Sequence, residues 1–584
     1  MVSYRTLRDL QPSRFEQAAD GYHEVSSAAR EAKDHLSHQI VAKAFEMSAD
    51  GLLGEGATAA RTRLTRLAEN LHYTQVECGL LSAALNGLAA ELRAAKTKLT
   101  TAEEEAENAG FQVDEKDGSV SWTSEKSPFT ALRGVTGQDS WVPLAAPDSD
   151  RVKAQAFADR IGDALADATE ADRRWAPKLR RLKAQNDLTV SSGDWSDVHG
   201  DQRAVQSIAG EYLDKGAIPK GNDPERNAEW WQSLSAQQKA DYASLYPASI
   251  GSLDGLPADI RDEANRTVLA QKKGHYETAL AAIPPKPTGL YAHPGGSQSR
   301  DWREQQDARR AWEEKYGDKK ARLESALRGM DAIENRFART GQDGLPEAYL
   351  LGFDVEGEGR GRVIIANGNP DTADHTAVYV PGTGAGLGNI HGDINRGETL
   401  WRSSDALAPD SDVSTITWLD YRPPEDVPHA GSGSYAAAGG PRLNDFLQST
   451  ATAQGGADAS HTTVVGHSYG TTTVGEGSKQ GKLAADDIVA VASPGMQVPH
   501  SEALDTGSEH TWTMTARDDD LVGLGGRLSG LGEGGVIPSD ERFGAQRMQT
   551  DTLGHSGYWD SGSTSLENQS NVIVGEYGRV VRGD

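Results

Sequence analysis

Apolar residues recur at Phe15, Ala18, Tyr22, Val25, Ala29, Ala32 and Leu36, in alternating steps of three and four. That spacing keeps one helical stripe facing a partner helix. Ser13 and Glu16, just after Pro12, read as a capping box at its start. Gly51 and Gly54 interrupt the pattern. It resumes at Ala60, Leu64, Leu67, Leu71, Thr74, Cys78, Leu81, Leu85, Leu88, Leu92, Ala95 and Leu99. Residues 1–110 therefore read as a long helical hairpin. The run FQVDEKDGSVSW then changes character and predicts a short β-hairpin turning at Asp117-Gly118. Val152, Ala156, Ile161, Leu165 and Trp175 mark a helix from about 149 to 186, so 111–220 is a mixed segment. In 221–340, Asp223-Pro224 offers a cap followed by proline at the first helical position, and Ser235–Gln238 a second capping box. Trp230 and Trp231 read there as packing residues. A loop over 284–300 precedes a charged helix over 300–338.

From about residue 340 the period changes. Short runs rich in β-branched residues appear: AYLLGFDV (348–355), RVIIAN (362–367), TAVYVPG (376–382), STITWLDY (414–421), TTVVG (462–466), DIVAVASPG (487–495) and HTWTMTA (510–516). Several are continuously apolar, as strands covered on both faces must be. Helix-length segments such as 438–452 and 469–480 separate them. This alternation predicts an α/β domain over 341–584, built on a mostly parallel, doubly wound sheet. The residues 221–340 form a helical lead-in packing on it.

Composition narrows the chemistry. Lys and Arg number 59 against 86 Asp and Glu, a formal charge of −27 over 584 residues. A nucleic-acid reader needs a basic face, so that class is set aside. No apolar run approaches the ~20 residues of a membrane span. The start, MVSYRTLRDLQPSRF, has no apolar core of a signal peptide, so the expectation is a cytoplasmic protein or one exported by a non-classical route. The single cysteine, Cys78, excludes an internal disulfide framework and reads as a small core residue. No cofactor or metal is expected.

The sharpest motif is Gly466-His467-Ser468-Tyr469-Gly470, between an apolar strand and a helix-competent stretch. G-x-S-x-G in that setting is a nucleophile elbow. Its glycines leave room where side chains would clash, and the helix N-terminus aims backbone N–H groups at a developing oxyanion. A serine hydroxyl needs a base, and the order is Ser, acid, His. Of His500, His510 and His555 downstream, His555 sits in a glycine-flanked loop near the end of the domain and is the candidate base. His467, next to the nucleophile, should turn away and pack. The acid should follow the strand HTWTMTA, where Asp518, Asp519 and Asp520 are adjacent. The spacing of an acid, one residue and two apolar ones selects Asp519, with Asp518 and Asp520 as alternatives. Val380-Pro-Gly-Thr-Gly-Ala-Gly386 follows an earlier strand. By position the Thr383 backbone N–H joins that of Tyr469 in an oxyanion hole. No Gly-Lys-Ser/Thr ending marks a phosphate loop. The reaction implied is cleavage of an ester or amide through an acyl-enzyme, with a small-molecule or lipid ester as the favoured substrate. The rival reading is a non-catalytic binding or secretion-linked module on the same scaffold.

The segments YVPGTGAG, TWLDYRPP, VVGHSYGT, AVASPGM, TARDDDLV and FGAQRMQTDTLGHSGYW together resemble a poorly characterised alpha/beta-hydrolase family common in actinobacteria. The stretch WWQSLSAQQKADYASLYPASIGSLDGLPADIRDEANR is similar to the helical lead-in of those proteins. The resemblance spans roughly 220–584. It implies the alpha/beta-hydrolase fold, with Ser468 as nucleophile, His555 as base and the Asp518–Asp520 cluster supplying the acid; it names no substrate. Residues 1–110 are similar in outline to the helical hairpins of small proteins exported by type VII secretion. The Trp-x-Gly of those turns is absent from Ala49-Asp-Gly-Leu-Leu-Gly54, and Tyr73–Glu77 places a Tyr-x-x-x-Glu mid-helix. A coiled-coil arm for self-association or partner docking fits the same pattern.

Overall fold

Eight strands form one sheet in the C-terminal part of the chain, whose structure is a computed structural model describing residues 1–41, 54–124, 127–132, 148–182, 189–220, 223–287, 300–356, 360–480, 483–519, 521–522 and 526–583. A three-stranded antiparallel sheet of β1 (Gln112–Val113), β2 (Val120–Ser124) and β3 (Ser127–Leu132) precedes it. The large sheet contains β4 (Ala348–Asp354), β5 (Arg362–Asn367), β6 (His375–Val380), β7 (Val413–Leu419), β8 (His461–His467), β9 (Asp487–Val491), β10 (Thr511–Met514) and β11 (Gln546–Arg547). Their order is β11-β10-β9-β8-β6-β7-β5-β4. All neighbours run parallel from β7 through β6 to β11, whereas β5 is antiparallel to both β4 and β7. The mostly parallel sheet expected from the alternation is present; the two-residue strand β11 is too short to show as a pattern.

Alternation along the central strands divides the core. Val378 and Val380 of β6, Val464 of β8, and Ile488 and Ala490 of β9 face one apolar layer, with Leu443 and Phe446 of the helix Ser434–Gln454. Ala377, Tyr379, Val465, Val489 and Val491 face the other, with Leu400 of the helix His391–Leu407 and Ile573 of the helix Thr564–Ile573. Strands buried on both faces read as unbroken apolar runs for this reason. The chain crosses over between β6, β7 and β8, so the carboxyl ends of β6 and β8 meet where ligands bind in such sheets.

Edge strand β4 is covered by the lead-in. Along the helix Ala258–Ala281, the Asp262 carboxylate accepts the Leu350 N–H at 2.7 Å. Asn265 donates to the Leu350 carbonyl at 2.9 Å and Arg266 to that of Ala348 at 2.7 Å. An uncovered edge would template association with another chain. The helix Asp318–Ala338 is fixed by fully buried Arg336, which donates to Asn367 Oδ1 and to the Pro346 carbonyl, both at 2.7 Å. Burial pulls that guanidinium down to about 10 despite nearby Glu398.

In the N-terminal region the helix Ser13–Asp34 packs along the 54-residue helix Glu55–Asn108, which in turn packs on the helix Asp148–Arg181. The segment Ala49–Leu53, which would join the first two, lies outside the described residues. Several local expectations change. Ser13 is not a cap: the helix starts from Pro12 with no side-chain cap, and Glu16 pairs with Arg93. Tyr22, Val25, Leu67 and Val152 are exposed. The long helix buries Gln75, Val76, Gly79, Leu80, Ala83 and Ala84, a surface wider than one stripe, because neighbours surround its middle. The small hairpin closes with a backbone bond from Asp114 N–H to the Ser119 carbonyl (2.9 Å), so its loop is four residues rather than two. Asp114 and Asp117 each accept an amide two residues on, which favours the longer loop. Asp223 and Ser235 cap their helices as expected, and Trp231 is buried.

Candidate active site

The turn between β8 and the helix Tyr469–Gln480 places Ser468 at φ 54°. A non-glycine residue in this left-handed region is strained by about 1–3 kcal/mol and persists only where its surroundings over-determine it. Here the Ser468 N–H donates to the Val491 carbonyl (2.9 Å), and its own carbonyl accepts the Thr471 N–H (3.0 Å) and hydroxyl (2.7 Å). The glycines make the bend fit. A Cβ on Gly470 would lie 2.1 Å from the Val380 oxygen, and one on Gly466 2.8 Å from Thr471 Cα.

The loop after β6 lies directly against this turn. A Cβ on Gly382 would sit 2.9 Å from both Ser468 Cβ and Tyr469 N. Thr383 follows at once, so its backbone is at the same turn as the Tyr469 amide, the first of its helix. Amides at that position have no partner within the helix. The Tyr469 side chain points away: its hydroxyl donates to the Ser432 carbonyl and accepts the Ala436 N–H. Burial raises its pKa to about 12.

His555 and Asp519 meet. The His555 Nδ1–H donates to Asp519 Oδ2 at 2.8 Å, and the carboxylate is buried while the imidazole is partly exposed. This bond leaves Nε2 as the free, basic nitrogen. The Tyr558 hydroxyl donates to the same Oδ2 at 3.2 Å and accepts the Ala516 N–H at 2.8 Å. Burial, reinforced by Asp519, holds that phenol above its ordinary pKa. Asp518 does something else: its Oδ1 accepts the Gly554 N–H at 2.9 Å, fastening the loop that carries His555. Asp520 lies outside the described residues. No hydrogen bond joins the Ser468 hydroxyl to the imidazole; such bonds are often long before substrate arrives.

His467 is buried beside the nucleophile and turned to the base loop. Its Nε2–H donates to the His555 carbonyl at 2.8 Å, and its ring meets Trp559 edge-on with centroids 5.0 Å apart. Burial, with Arg396 and His555 nearby, holds it well below the ordinary imidazole value, so it is neutral. Arg396 lies 4.8 Å over the Trp559 ring and donates to the Tyr379 hydroxyl and the Asp393 carboxylate, both at 3.0 Å. Sequence reasoning assigned no part to Tyr558, three residues past His555 in LGHSGYW, nor to this array. Of the other downstream histidines, His510 is bonded to Asp487, which begins β9, and His500 precedes the short turn Ser501–Ala503. Among the described residues no cluster of His, Cys, Asp and Glu has metal-holding geometry, and no helix is long and apolar enough to cross a membrane.

A mostly parallel sheet with one antiparallel strand near its edge, a serine turn after β8 and a histidine loop beyond the last strand define an alpha/beta-hydrolase domain at the C-terminus, preceded by a largely helical region. A family model described as alpha/beta hydrolase (Abhydrolase_8) matches residues 356–529. The chain is 25% identical over 616 residues to two uncharacterized proteins of Mycobacterium tuberculosis, MT2140 and Rv2079, covering 98% of this chain and 87% of theirs. Among solved structures, a CIB-like hydrolase from Thermoplasma acidophilum is 16% identical, covers 40% of this chain and 98% of its own, and has a TM-score of 0.23. The domain supports hydrolase activity.

Proposed function

We propose that the C-terminal domain is a serine hydrolase that cleaves an ester bond through Ser468, His555 and Asp519. The observation that carries this reading is the 2.8 Å bond from His555 to a buried carboxylate, on a loop held against the same turn that strains Ser468. His555 Nε2 takes the Ser468 proton as the oxygen attacks the carbonyl carbon. The amides of Thr383 and Tyr469 receive the oxyanion. Collapse of the tetrahedral species expels the alcohol, which leaves with the proton from His555. Water, deprotonated by the same imidazole, then hydrolyses the acyl-serine and restores the enzyme. Asp519 holds the imidazole tautomer and stabilises its cation.

An apolar portion on the ester is supported by the loops around the site. Val427, Leu521, Leu528 and Leu553 are exposed side chains that follow the carboxyl ends of β7, β10 and β11. Leu553 is two residues from His555 and 74% exposed.

The second reading, a binding module that keeps the fold without turnover, draws on the missing bond between Ser468 and the imidazole. A fluorophosphonate probe separates the two, because it phosphonylates only an activated serine. Wild type should label and Ser468→Ala should not. Folded wild type that resists the probe and leaves p-nitrophenyl esters intact would establish the binding module.

A further inference from the structure

A cavity of about 460 Å³ opens beside the oxyanion loop, between Gly386–Asn389 and the helix Asp318–Ala338. The helix reaches the loop at backbone range. A Cβ on Gly329 would lie 2.1 Å from the Leu387 oxygen, and one on Gly388 2.0 Å from Ser325 Oγ. This approach brings Lys319, Arg322 and Arg328 to the cavity, and Arg360 joins them from just ahead of β5. Arg360 also ties the loop down: its Nη1 donates to the Gly384 carbonyl at 2.9 Å, and its carbonyl accepts the Leu387 N–H at 2.9 Å.

The charge pattern runs against the chain. With a formal charge of −27, carboxylates are plentiful, yet among the described residues none lines this cavity. Among the described residues its four cations make no ion pair. Nearby acids are engaged elsewhere: Glu324 holds Lys320 at 2.5 Å and Glu356 holds Lys272 at 2.7 Å. Like charges gathered without counter-charges repel one another, and an anionic ligand relieves that. Guanidinium groups present two parallel donors matched to carboxylate or phosphate oxygens. The volume exceeds that of a bare anion, and Tyr276, Leu323 and Val355 supply apolar wall for an attached body. Gly386 is three residues from Thr383, so the two are at most about 11 Å apart along the chain.

We propose that this pocket holds the anionic end of the substrate opened at Ser468: an ester whose body carries a phosphate or carboxylate. The proposal rests on the serine-hydrolase reading, and its test keeps the two apart. Ser468→Ala protein is titrated calorimetrically with inorganic phosphate and with phenyl phosphate. Saturable binding, tighter for phenyl phosphate and weakened by added NaCl, is expected. It should fall about tenfold in Arg322→Gln and in Arg328→Gln, both exposed positions whose folding is checked by thermal midpoint. In the Ser468 protein, kcat/KM is compared for p-nitrophenyl butyrate and the p-nitrophenyl monoester of succinic acid. The charged-to-neutral ratio should exceed ten and drop about tenfold with either arginine removed. Absent anion binding, binding indifferent to both arginines, or equal handling of the two esters overturns the proposal. Arginine-dependent binding with neither ester cleaved overturns the assignment to a substrate and the hydrolase reading together, leaving a site for free phosphate.

Discussion

Asp518 and Asp519 are neighbours in the chain, and what their side chains touch separates them. Asp519 is buried and bonded to His555, whereas exposed Asp518 holds the Gly554 amide. Asp519→Asn keeps the shape but favours the wrong imidazole tautomer, and should lower kcat by about 10³–10⁴. Asp518→Asn, whose amide oxygen can still accept the Gly554 N–H, should change kcat/KM by less than about tenfold. Steady-state rates on one ester decide it, and equal losses would remove the assignment of Asp519. The spacing of an acid from two apolar residues pointed to Asp519, the carboxylate that bonds to His555. The Tyr558 hydroxyl was not, because its bond to Asp519 joins positions 39 residues apart and no local pattern marks it.

Elements were legible where their burial is uniform. The strands β5 to β9 are covered on both faces, so an apolar run sufficed to find them. The register of the helix Glu55–Asn108 was not, because a helix with neighbours on several sides has no single stripe to read. Nor could periodicity show that Asp262, Asn265 and Arg266 would satisfy the backbone of β4, since polar residues on a helix ordinarily read as its wet face. At the elbow, element packing has a sharp consequence. Gly470→Ala drives a methyl into the Val380 oxygen and should destabilise the domain by about 1–3 kcal/mol, with loss of probe labelling. Gly200→Ala, mid-helix with nothing within 4 Å, should be neutral or stabilising by up to about 1 kcal/mol. Calorimetric midpoints check the pair; similar values for both would mean the bend is looser than its contacts.

Across the molecule, buried titratable groups pull the pH dependence of stability in opposite directions. Burial and Asp201, Asp197 and Asp194 push Glu77 up to about 7, and burial pushes Asp241 up to about 6 despite hydrogen bonds from Tyr212, Gln237 and Asn86. A carboxyl raised on folding contributes most while protonated. Its contribution therefore fades as pH climbs from the unfolded value of about 4 towards those folded values. Burial opposes the charged form of His461, but the bonds to Asp487 and to the Ile573 carbonyl outweigh it and raise its pKa. That contribution is complete below about 6.5 and is lost as pH rises through the folded value. His467, which burial holds well below the ordinary imidazole value, opposes them: its contribution is present above about 6.5 and is lost as pH falls. Asp487 opposes them only in acid. Burial is outweighed there by bonds from His461, Tyr577, Trp512 and His510, so its pKa is lowered and its contribution is lost as pH falls below about 4. Glu77→Gln should accordingly raise the unfolding midpoint more at pH 8, where Glu77 is driven to ionise, than at pH 5.5. An equal change at the two pH values would refute this. At the same scale, the 54-residue helix is a rod about 80 Å long. Arg61 near its start donates to the carbonyl of Ala338, the last residue of the helix that carries Lys319, Arg322 and Arg328. The rod and the helix that lines the cavity are thus tied together by a side-chain hydrogen bond. Arg61→Ala would untie the two without touching any residue that lines the cavity.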